Sequence, residues 1–352
     1  MNERVAIQLD TLTRLADGFR ESRGITNNLT TEQMIEFAKE PIGSGENKLN
    51  QLLTKTITEV TAADIAGVTE IPIYAFRNCR DLVSVHLDGV TTIADGAFMD
   101  CRSIKELNIP ESVQSIGTSA FENCRELTTL ILPNTPVELG DTMLYKCWKL
   151  EELRIPEGYT KIPNNFLYGG AGCLNKSRIL KIYVPSTITY VGYSQFGVAY
   201  NPDSDQMPPA DAGCDTHIYF ATQEAANVWF YSTSSKKGTA YRGTLYMFVD
   251  GKPLTNVTLA SSLTNLYSGM FPADLDSIDV VCEGDIQYMY DDAVASVKSI
   301  SFLNNTKVPT VRYNKISFNP DILERIEVPA SLYDSWITAT NWAEWADYIV
   351  AV

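Results

Sequence analysis

The chain has 352 residues, of which 45% are hydrophobic and 20% charged, a composition typical of a folded protein. Its formal net charge is −15 at pH 7, so its surface would on average repel the phosphates of nucleic acids and of anionic lipids. No stretch of the sequence is long and apolar enough to span a bilayer. We therefore expect no nucleic acid among the partners and no membrane insertion.

Residues 1–48 differ from the rest of the chain and are predicted to form two short helices. Apolar side chains recur there at the spacing of one helix face. Two short helices cannot form a stable domain alone, so residues 1–40 are expected to assemble onto other proteins or onto further copies of the chain, as in a homo-oligomer, with an N-terminal cap on the first repeat as the alternative. The side chains predicted to mediate this assembly are Leu12, Leu15, Phe19, Met34 and Phe37.

The same segment resembles the start of tail and baseplate proteins of phages and prophages from Gram-positive bacteria, which carry the pattern TLTxIADxIRxKxG…LTxxxM. The resemblance implies a virion protein of the tail or baseplate that displays a receptor-binding surface for host attachment. The opening residues MNERVAIQLD lack the features of a Sec signal peptide, which agrees with assembly in the cytoplasm. The residues that match the pattern are Thr11, Leu12, Thr13, Ala16, Asp17, Phe19, Arg20, Gly24, Leu29, Thr30 and Met34.

From about residue 55 the sequence repeats with a fixed period. The segments AFRNC, AFMDC, AFENC and MLYKC end at Cys79, Cys101, Cys124 and Cys147, which are 22, 23 and 23 residues apart. A fixed period in the twenties is typical of leucine-rich repeats.

Each repeat contains two apolar patterns. The first is L-x-x-L-x-L/I, usually followed by Pro, and its last apolar pair lies two residues apart, as on one face of a strand. The second is V-x-x-I followed by Ala-Phe, which predicts that Phe76, Phe98 and Phe121 are buried in one ladder. Copies of the first pattern begin at Leu82, Ile104, Leu127, Leu150 and Ile179, and less regular ones at Leu254, Leu275, Val297 and Leu323.

These motifs resemble the BspA-like leucine-rich repeat family, in which L-x-x-L-x-I-P alternates with I-x-x-x-A-F-x-x-C. The expected fold is a β-rich solenoid of leucine-rich repeats of about 22–23 residues, with a short helical N-terminal segment and helical caps. The family is known mainly for surface and adhesive proteins. The resemblance therefore implies, as the alternative to a virion protein, a bacterial cell-surface or extracellular adhesin.

The predicted division of the chain has four parts: a helical anchoring segment over 1–48, a repeat block over 49–196, an insertion and cap over 197–250, and a second repeat block with a C-terminal cap over 251–352. The stretch IYFATQEAANVWFY predicts a strand followed by a short helix, and the chain end repeats this plan, with Asn341 and Glu344 as a capping box. Four aromatic residues are predicted to cover the end of the repeats, with a stacking ligand site as the alternative: Trp336, Trp342, Trp345 and Tyr348.

No residue pattern indicates catalysis, a cofactor or a metal, so we expect a protein that is not an enzyme. His86 shares a strand with Ser84, but one strand cannot supply a catalytic triad. The seven cysteines are predicted to be buried thiols, with a disulfide ladder as the alternative. An acidic cluster does not fit a calcium loop and is predicted to be a solvated loop, although a calcium site stays open: Asp203, Asp205, Asp211 and Asp215.

The predicted binding surface is the outer face of the repeat strands. Residues that flank the middle apolar position of L-x-x-L-x-L point away from the core. We expect this face to recognise a host surface protein or glycan, with an inert solvated face as the alternative. Its members are Ser84, His86, Glu106, Asn108, Thr129, Ile131, Glu152, Arg154, Lys181 and Tyr183.

Overall fold

A computed structural model describes residues 56–62, 64–65, 67–167, 179–192, 215–231, 245–267, 270–271, 277–290, 293–312 and 315–352. They form a β-rich leucine-rich repeat fold in which short parallel strands recur and helices are few. Several predictions concern residues outside this set: the assembly residues Leu12, Leu15, Phe19, Met34 and Phe37, and also Asp203, Asp205 and Asp211.

The chain forms two compact units. The N-terminal unit contains the described residues up to Gly158 together with 165–167, and the C-terminal unit contains residues 159–164 and the described residues from Ile179 onward. The four-part division proposed from the sequence stays a prediction.

In the N-terminal unit, the first apolar pattern of each repeat forms a short strand. Leu107, Leu130 and Leu153 are buried and lie opposite one another in parallel strands. A slip of one residue would turn these leucines to solvent, so the burial of one face fixes the register. The strands are β1 (Glu59–Val60), β3 (Ser84–Val85), β5 (Glu106–Asn108), β7 (Thr129–Ile131) and β9 (Glu152–Arg154).

The second apolar pattern forms a four-stranded parallel sheet in the same unit. Ile71, Ile93 and Ile116 are buried at equivalent positions of successive strands. After the last two strands, a Cβ on Gly117 or Gly140 would lie within 2.5 Å of the backbone of the preceding repeat. A side chain at either position would collide with the preceding repeat, so both positions require glycine. The strands are β2 (Glu70–Ile71), β4 (Thr92–Ile93), β6 (Ser115–Ile116) and β8 (Glu138–Leu139).

The A-F-x-N-C segments form a third ladder between successive repeats. Alternate N–H groups donate to the next repeat, as from Phe98 to the Ala120 carbonyl at 2.8 Å, and the others close turns within the repeat. This alternation needs a left-handed residue before each cysteine, where Asn and Asp are tolerated better than most residues. The residues at that position are Asn78, Asp100, Asn123 and Lys146, with φ of 60–65°.

The predicted phenylalanine ladder is confirmed. Phe76, Phe98 and Phe121 are all buried. Their rings stack with centroids 5.1 and 5.6 Å apart, close to the separation of neighbouring strands.

The C-terminal unit begins with a two-stranded sheet, β10 (Lys161–Ile162) with β12 (Tyr190–Val191), and continues with a larger one. The strands of the larger sheet are β11 (Ile179–Val184), β13 (Asp215–Phe220), β14 (Leu245–Val249) and β15 (Lys252–Pro253). Of these, β11, β13 and β14 are parallel and β15 is antiparallel to β14.

The second repeat block of the C-terminal unit forms a five-stranded and a three-stranded parallel sheet. Predicted core residues such as Val257, Val280 and Ile300 are buried and lie in register, whereas Leu275 is outside the described residues. The five-stranded sheet contains β16 (Asn256–Leu259), β18 (Ile278–Cys282), β20 (Val297–Ser301), β22 (Arg325–Val328) and β23 (Ile349–Ala351). The other contains β17 (Asn265–Leu266), β19 (Tyr288–Tyr290) and β21 (Thr310–Arg312).

One predicted core residue is wrong. Ile179 is 44% exposed, whereas the first residues of the preceding patterns, such as Leu127 and Leu150, are buried. Ile179 already belongs to the six-residue strand β11, in which alternate residues Leu180, Ile182 and Val184 face the core. The period of two therefore places Ile179 on the outer face.

A helix covers the open edge of the five-stranded sheet. The predicted strand and helix are confirmed as β13 and α1 (Gln223–Tyr231). The Asn227 side chain accepts the N–H of Thr258 at 3.1 Å, and Gln223 donates to the Asn256 carbonyl at 2.9 Å. These two backbone groups belong to the edge strand β16, so the helix supplies the hydrogen bonds of a missing strand.

The C-terminal aromatic residues pack as a cap. Trp336 and Trp342 are fully buried with ring centroids 4.4 Å apart, and Phe302 packs against both. Trp345 is also buried and Tyr348 is half-buried. The elements here are a 3-10 helix (Ala330–Leu332), α2 (Tyr333–Thr338) and a second 3-10 helix (Ala343–Tyr348).

The predicted capping box at Asn341 is wrong. Asn341 has a φ of 74°, and the residue that caps the second 3-10 helix is Trp342, without a side-chain hydrogen bond. Asn341 instead lies in a turn of left-handed backbone conformation just before Trp342. The buried indole N–H of Trp342 donates to the Pro309 carbonyl at 3.2 Å.

Replacing Phe98 by Ala is expected to lower the free energy of unfolding by about 3–5 kcal/mol, because it removes the middle ring of the buried stack. Urea denaturation followed by circular dichroism measures the change. The matched control is Ile131→Ala, which removes a large apolar side chain that is 54% exposed, with an expected effect below about 0.5 kcal/mol. Equal effects of the two substitutions would contradict the assigned register.

Replacing Asn227 by Leu is expected to cost about 1–3 kcal/mol, because it leaves the Thr258 N–H at the sheet edge without its acceptor. The control Asn256→Leu makes the same chemical change on the exposed face of β16 and leaves the edge bonds in place. Urea denaturation compares the two variants. A loss of stability in the control as large as in Asn227→Leu would show that the edge contact is not the cause.

Candidate functional site

The outer face of the N-terminal unit is polar. The eight predicted binding residues from Ser84 to Arg154 are exposed, apart from half-buried Glu152. On β9, Arg154 donates a hydrogen bond to the carboxylate of Glu152 at 2.5 Å. On the neighbouring strand β7, Ile131 is a large exposed aliphatic side chain. A binding role for this face stays a prediction.

The outer face of the C-terminal unit is aromatic. Predicted residues Lys181 and Tyr183 lie on β11, and the sheet brings four further side chains beside them. One cross-strand row contains Tyr183, Tyr219 and Phe248, and the neighbouring row contains Lys181, His217 and Tyr246. Lys181 is exposed and the five ring side chains are half-buried.

The rings of the first row stack in a regular arrangement. The centroids of Tyr183 and Tyr219, and those of Tyr219 and Phe248, are both 4.9 Å apart, with interplanar angles of 14° and 15°. His217 contacts this row, since its ring lies 5.6 Å from that of Phe248. His217 also meets the ring of Tyr246 edge-on at 5.0 Å. The five rings therefore support one another and form a continuous cluster, which we call the aromatic face.

His217 is the titratable ring of the aromatic face. Partial burial lowers its pKa, Asp215 raises it and Lys181 lowers it further, with burial the largest effect. Its Nδ1 lies 3.3 Å from the hydroxyl of Tyr219. The imidazole is therefore mainly neutral at pH 7 and can act as a hydrogen-bond donor or acceptor.

Sequence reasoning missed four members of the aromatic face: His217, Tyr219, Tyr246 and Phe248. Their strands do not carry the L-x-x-L-x-L motif. Alternation was the available signal, because Thr216, Ile218 and Phe220 are buried while the residues between them are not. A strand pairing of β11 with β13 and β14 was needed to bring the rings together, and the sequence does not give that pairing.

The cysteines of the described repeats are buried structural thiols. Cys79, Cys101, Cys124, Cys147 and Cys282 are free and buried, which confirms the prediction for these five, whereas Cys173 and Cys214 lie outside the described residues. The thiols of Cys101, Cys124 and Cys147 each donate to the carbonyl of a phenylalanine in the preceding repeat, as from Cys101 to Phe76 at 3.0 Å. Burial raises the pKa of Cys147 to about 12. Such thiols are poor nucleophiles and poor metal ligands.

Other candidate chemistry is weak in the described part of the chain. His86 is exposed, and its Nδ1 lies 4.0 Å from the carboxylate of exposed Asp88. No group of three or more His, Cys, Asp or Glu residues there is arranged to hold a metal ion. An open groove of 380 Å³ lies along β4, β6 and β8, but the Asp95 carboxylate in it already accepts the Thr118 N–H at 2.7 Å. None of the helices among these residues could cross a membrane.

Comparison with protein families agrees with the repeats. Residues 69–201 match six copies of the BspA type leucine rich repeat region. Residues 69–201 are therefore leucine-rich repeats, in agreement with the fold. The match confirms the resemblance to BspA-like repeats over that range. A search of curated proteins gives no significant match to this leucine-rich repeat protein.

Two solved structures resemble the leucine-rich repeat protein at 17% sequence identity. One is a leucine-rich repeat protein from Bacteroides ovatus ATCC 8483, with a TM-score of 0.31 over 85% of both chains. The other is a leucine rich cell surface protein from Faecalibacterium prausnitzii A2-165, with a TM-score of 0.34 over 85% of this chain and 77% of that chain. TM-scores of this size support no functional conclusion.

The raised thiol pKa predicts a loss of stability at alkaline pH. The Cys147 thiol ionises near pH 9 in the unfolded chain and only near pH 12 in the native chain. The contribution of the buried thiol to the free energy of unfolding is therefore complete below pH 9 and is lost as the pH rises from 9 to 12. We expect this contribution to fall by about 1.4 kcal/mol per pH unit between those values. Urea denaturation of the wild type and of Cys147→Ala at increasing pH isolates it, since the variant lacks this titration.

Thiol counting tests whether the cysteines are reduced. Ellman's reagent is expected to react with all seven cysteines of the denatured, non-reduced chain and to spare the five buried ones in the native chain. A count of one or none in the denatured chain would contradict reduced cysteines and favour a disulfide ladder.

Proposed function

We propose that this protein is a non-enzymatic binding protein of the bacterial cell surface, with the outer faces of its repeat strands as the ligand-contacting surface. The observation that carries the proposal is the alternation of buried and solvent-exposed side chains along each strand. In β7 and β11, inward residues such as Leu130 and Ile182 are buried, while outward residues such as Ile131 and Tyr183 contact solvent. Outward residues are free to vary without disturbing the ladders.

The BspA-type repeats over 69–201 support a surface role, because the family they resemble is known mainly for surface and adhesive proteins. The aromatic face supports binding more directly. Tyrosine and other aromatic residues are enriched where proteins contact ligands, since their rings bury a large area at low entropic cost. Clustered apolar side chains that reach the surface are typical of interaction sites.

The virion role suggested by residues 1–48 is the second candidate. It depends on the resemblance of Thr11–Thr13, Gly24 and their neighbours to phage tail proteins, and on assembly through residues outside the described part. The comparisons give it no support, so the cell-surface role is the one proposed.

Localisation separates the two roles. Antibodies against the full-length chain are expected to label intact cells of the source bacterium. Labelling confined to purified phage particles would contradict the surface role and favour the virion role.

Binding tests the ligand surface. The biotinylated full-length chain is expected to bind saturably to immobilised host or bacterial envelopes, and substitution of outward residues should weaken binding by about tenfold or more at the face that makes the contact. The variants are Asn108→Arg with Thr129→Arg in the N-terminal unit and Tyr219→Arg in the C-terminal unit. Gln114→Arg is the matched control, because Gln114 is exposed and lies outside the outer face. Unchanged binding in every outer-face variant would contradict the proposal.

A further inference from the structure

The aromatic face differs in chemistry from the corresponding face of the N-terminal unit. Tyr183, Tyr219 and Phe248 occupy one row, with His217 and Tyr246 in the row beside it. The equivalent outward positions of β5 and β7 carry Glu106, Asn108, Thr129 and Ile131. The difference is not imposed by the repeat core, because these side chains all point away from it.

The geometry of the row leaves ring surface available. Aromatic carbons in contact are about 3.5–4.0 Å apart, whereas successive centroids are 4.9 Å apart and the rings are nearly parallel. The rings are therefore displaced sideways relative to one another, as in offset stacking, and each ring covers only part of the face of the next. The exposed parts form a ridge two stacking steps long, similar in length to two linked pyranose rings.

We propose that the aromatic face binds an uncharged polysaccharide or oligosaccharide, a proposal that rests on the protein's function as a binding protein. One side of a pyranose ring presents C–H groups, whose slight positive charge complements the negative face of an aromatic ring. The hydroxyls of the sugar require hydrogen-bond partners. Lys181 and His217 provide them, since each lies two residues along its strand from the ring row, about 7 Å away.

The charge distribution favours an uncharged ligand. The chain carries a net charge of −15, so polyanions such as nucleic acids or acidic polysaccharides are repelled on average. On the aromatic face itself, the charged outward residues of β11 and β13 are Lys181 and Asp215, one of each sign. A face that is locally balanced on an acidic protein is complementary to a neutral partner.

The size of the face also favours a sugar over a protein. A stable protein interface buries about 800 Å² on each partner. The three rings of the row are already half-buried by one another and by the sheet, and they expose far less than that. A short stretch of sugar chain needs only such a narrow, pre-ordered surface. Because the rings are held in register, binding does not require them to be ordered first.

Affinity electrophoresis of the full-length chain tests the proposal. Native gels contain one of four neutral polysaccharides, mannan, β-glucan, arabinoxylan or galactan, or one of two anionic ones, polygalacturonate or heparin. We expect retardation by at least one neutral polysaccharide and by neither anionic one. Tyr219→Ala should abolish it or weaken it by about tenfold or more, while Tyr219→Phe, which keeps the ring, should retain most of it.

Tyr288→Ala is the matched control, because Tyr288 is an exposed tyrosine of the same unit on β19 and lies outside the aromatic face. Circular dichroism confirms that each variant is folded, and Phe248→Ala replaces Tyr219→Ala if the latter is not. Absence of retardation by every neutral polysaccharide, or unchanged retardation in the folded alanine variant, overturns the carbohydrate proposal. Envelope-protein binding or self-association that Tyr219→Ala abolishes, without sugar binding, also overturns it but leaves the broader binding function in place.

Discussion

Hydrogen bonding between the backbones of successive repeats is the interaction on which the rest of the N-terminal unit depends. Three ladders run from one repeat to the next, through the strands of both apolar patterns and through the A-F-x-N-C turns. Such bonds form only when the turns approach at strand separation, about 4.8 Å. At Gly117 and Gly140 the backbones of successive repeats come too close for a Cβ, and the same spacing places equivalent side chains directly over one another.

Much of the fold was predictable because the ladders impose a strict period. The spacing of the cysteines fixed the repeat length, and the phenylalanine stack followed from it. Ile179 was misplaced because its strand is longer than its predecessors, so strand alternation overrides the motif. Asn341 was misread because an Asn before a helical segment serves equally well as a cap or as a left-handed reversal, and only the surrounding core decides between them.

The binding surface was less predictable than the core for a physical reason. Inward positions are constrained by packing against their neighbours above and below, whereas outward positions such as Thr129 and Tyr219 do not have to fit into the core. The motif therefore located the outer face but said nothing of its chemistry. The aromatic face also depends on β13 and β14, which follow long segments without repeat spacing, so their register with β11 follows from the fold alone.

The contact of α1 with β16 has a consequence for how the protein avoids polymerisation. A parallel sheet with a bare edge is a template for strands of other molecules, and stacked repeats with flat edges are especially exposed to this hazard. Asn227 and Gln223 occupy the edge groups of β16 with amide side chains, which satisfy them without offering a further row of backbone donors and acceptors. The five-stranded sheet therefore ends at a helix on this side, and its edge is closed to strands of other molecules.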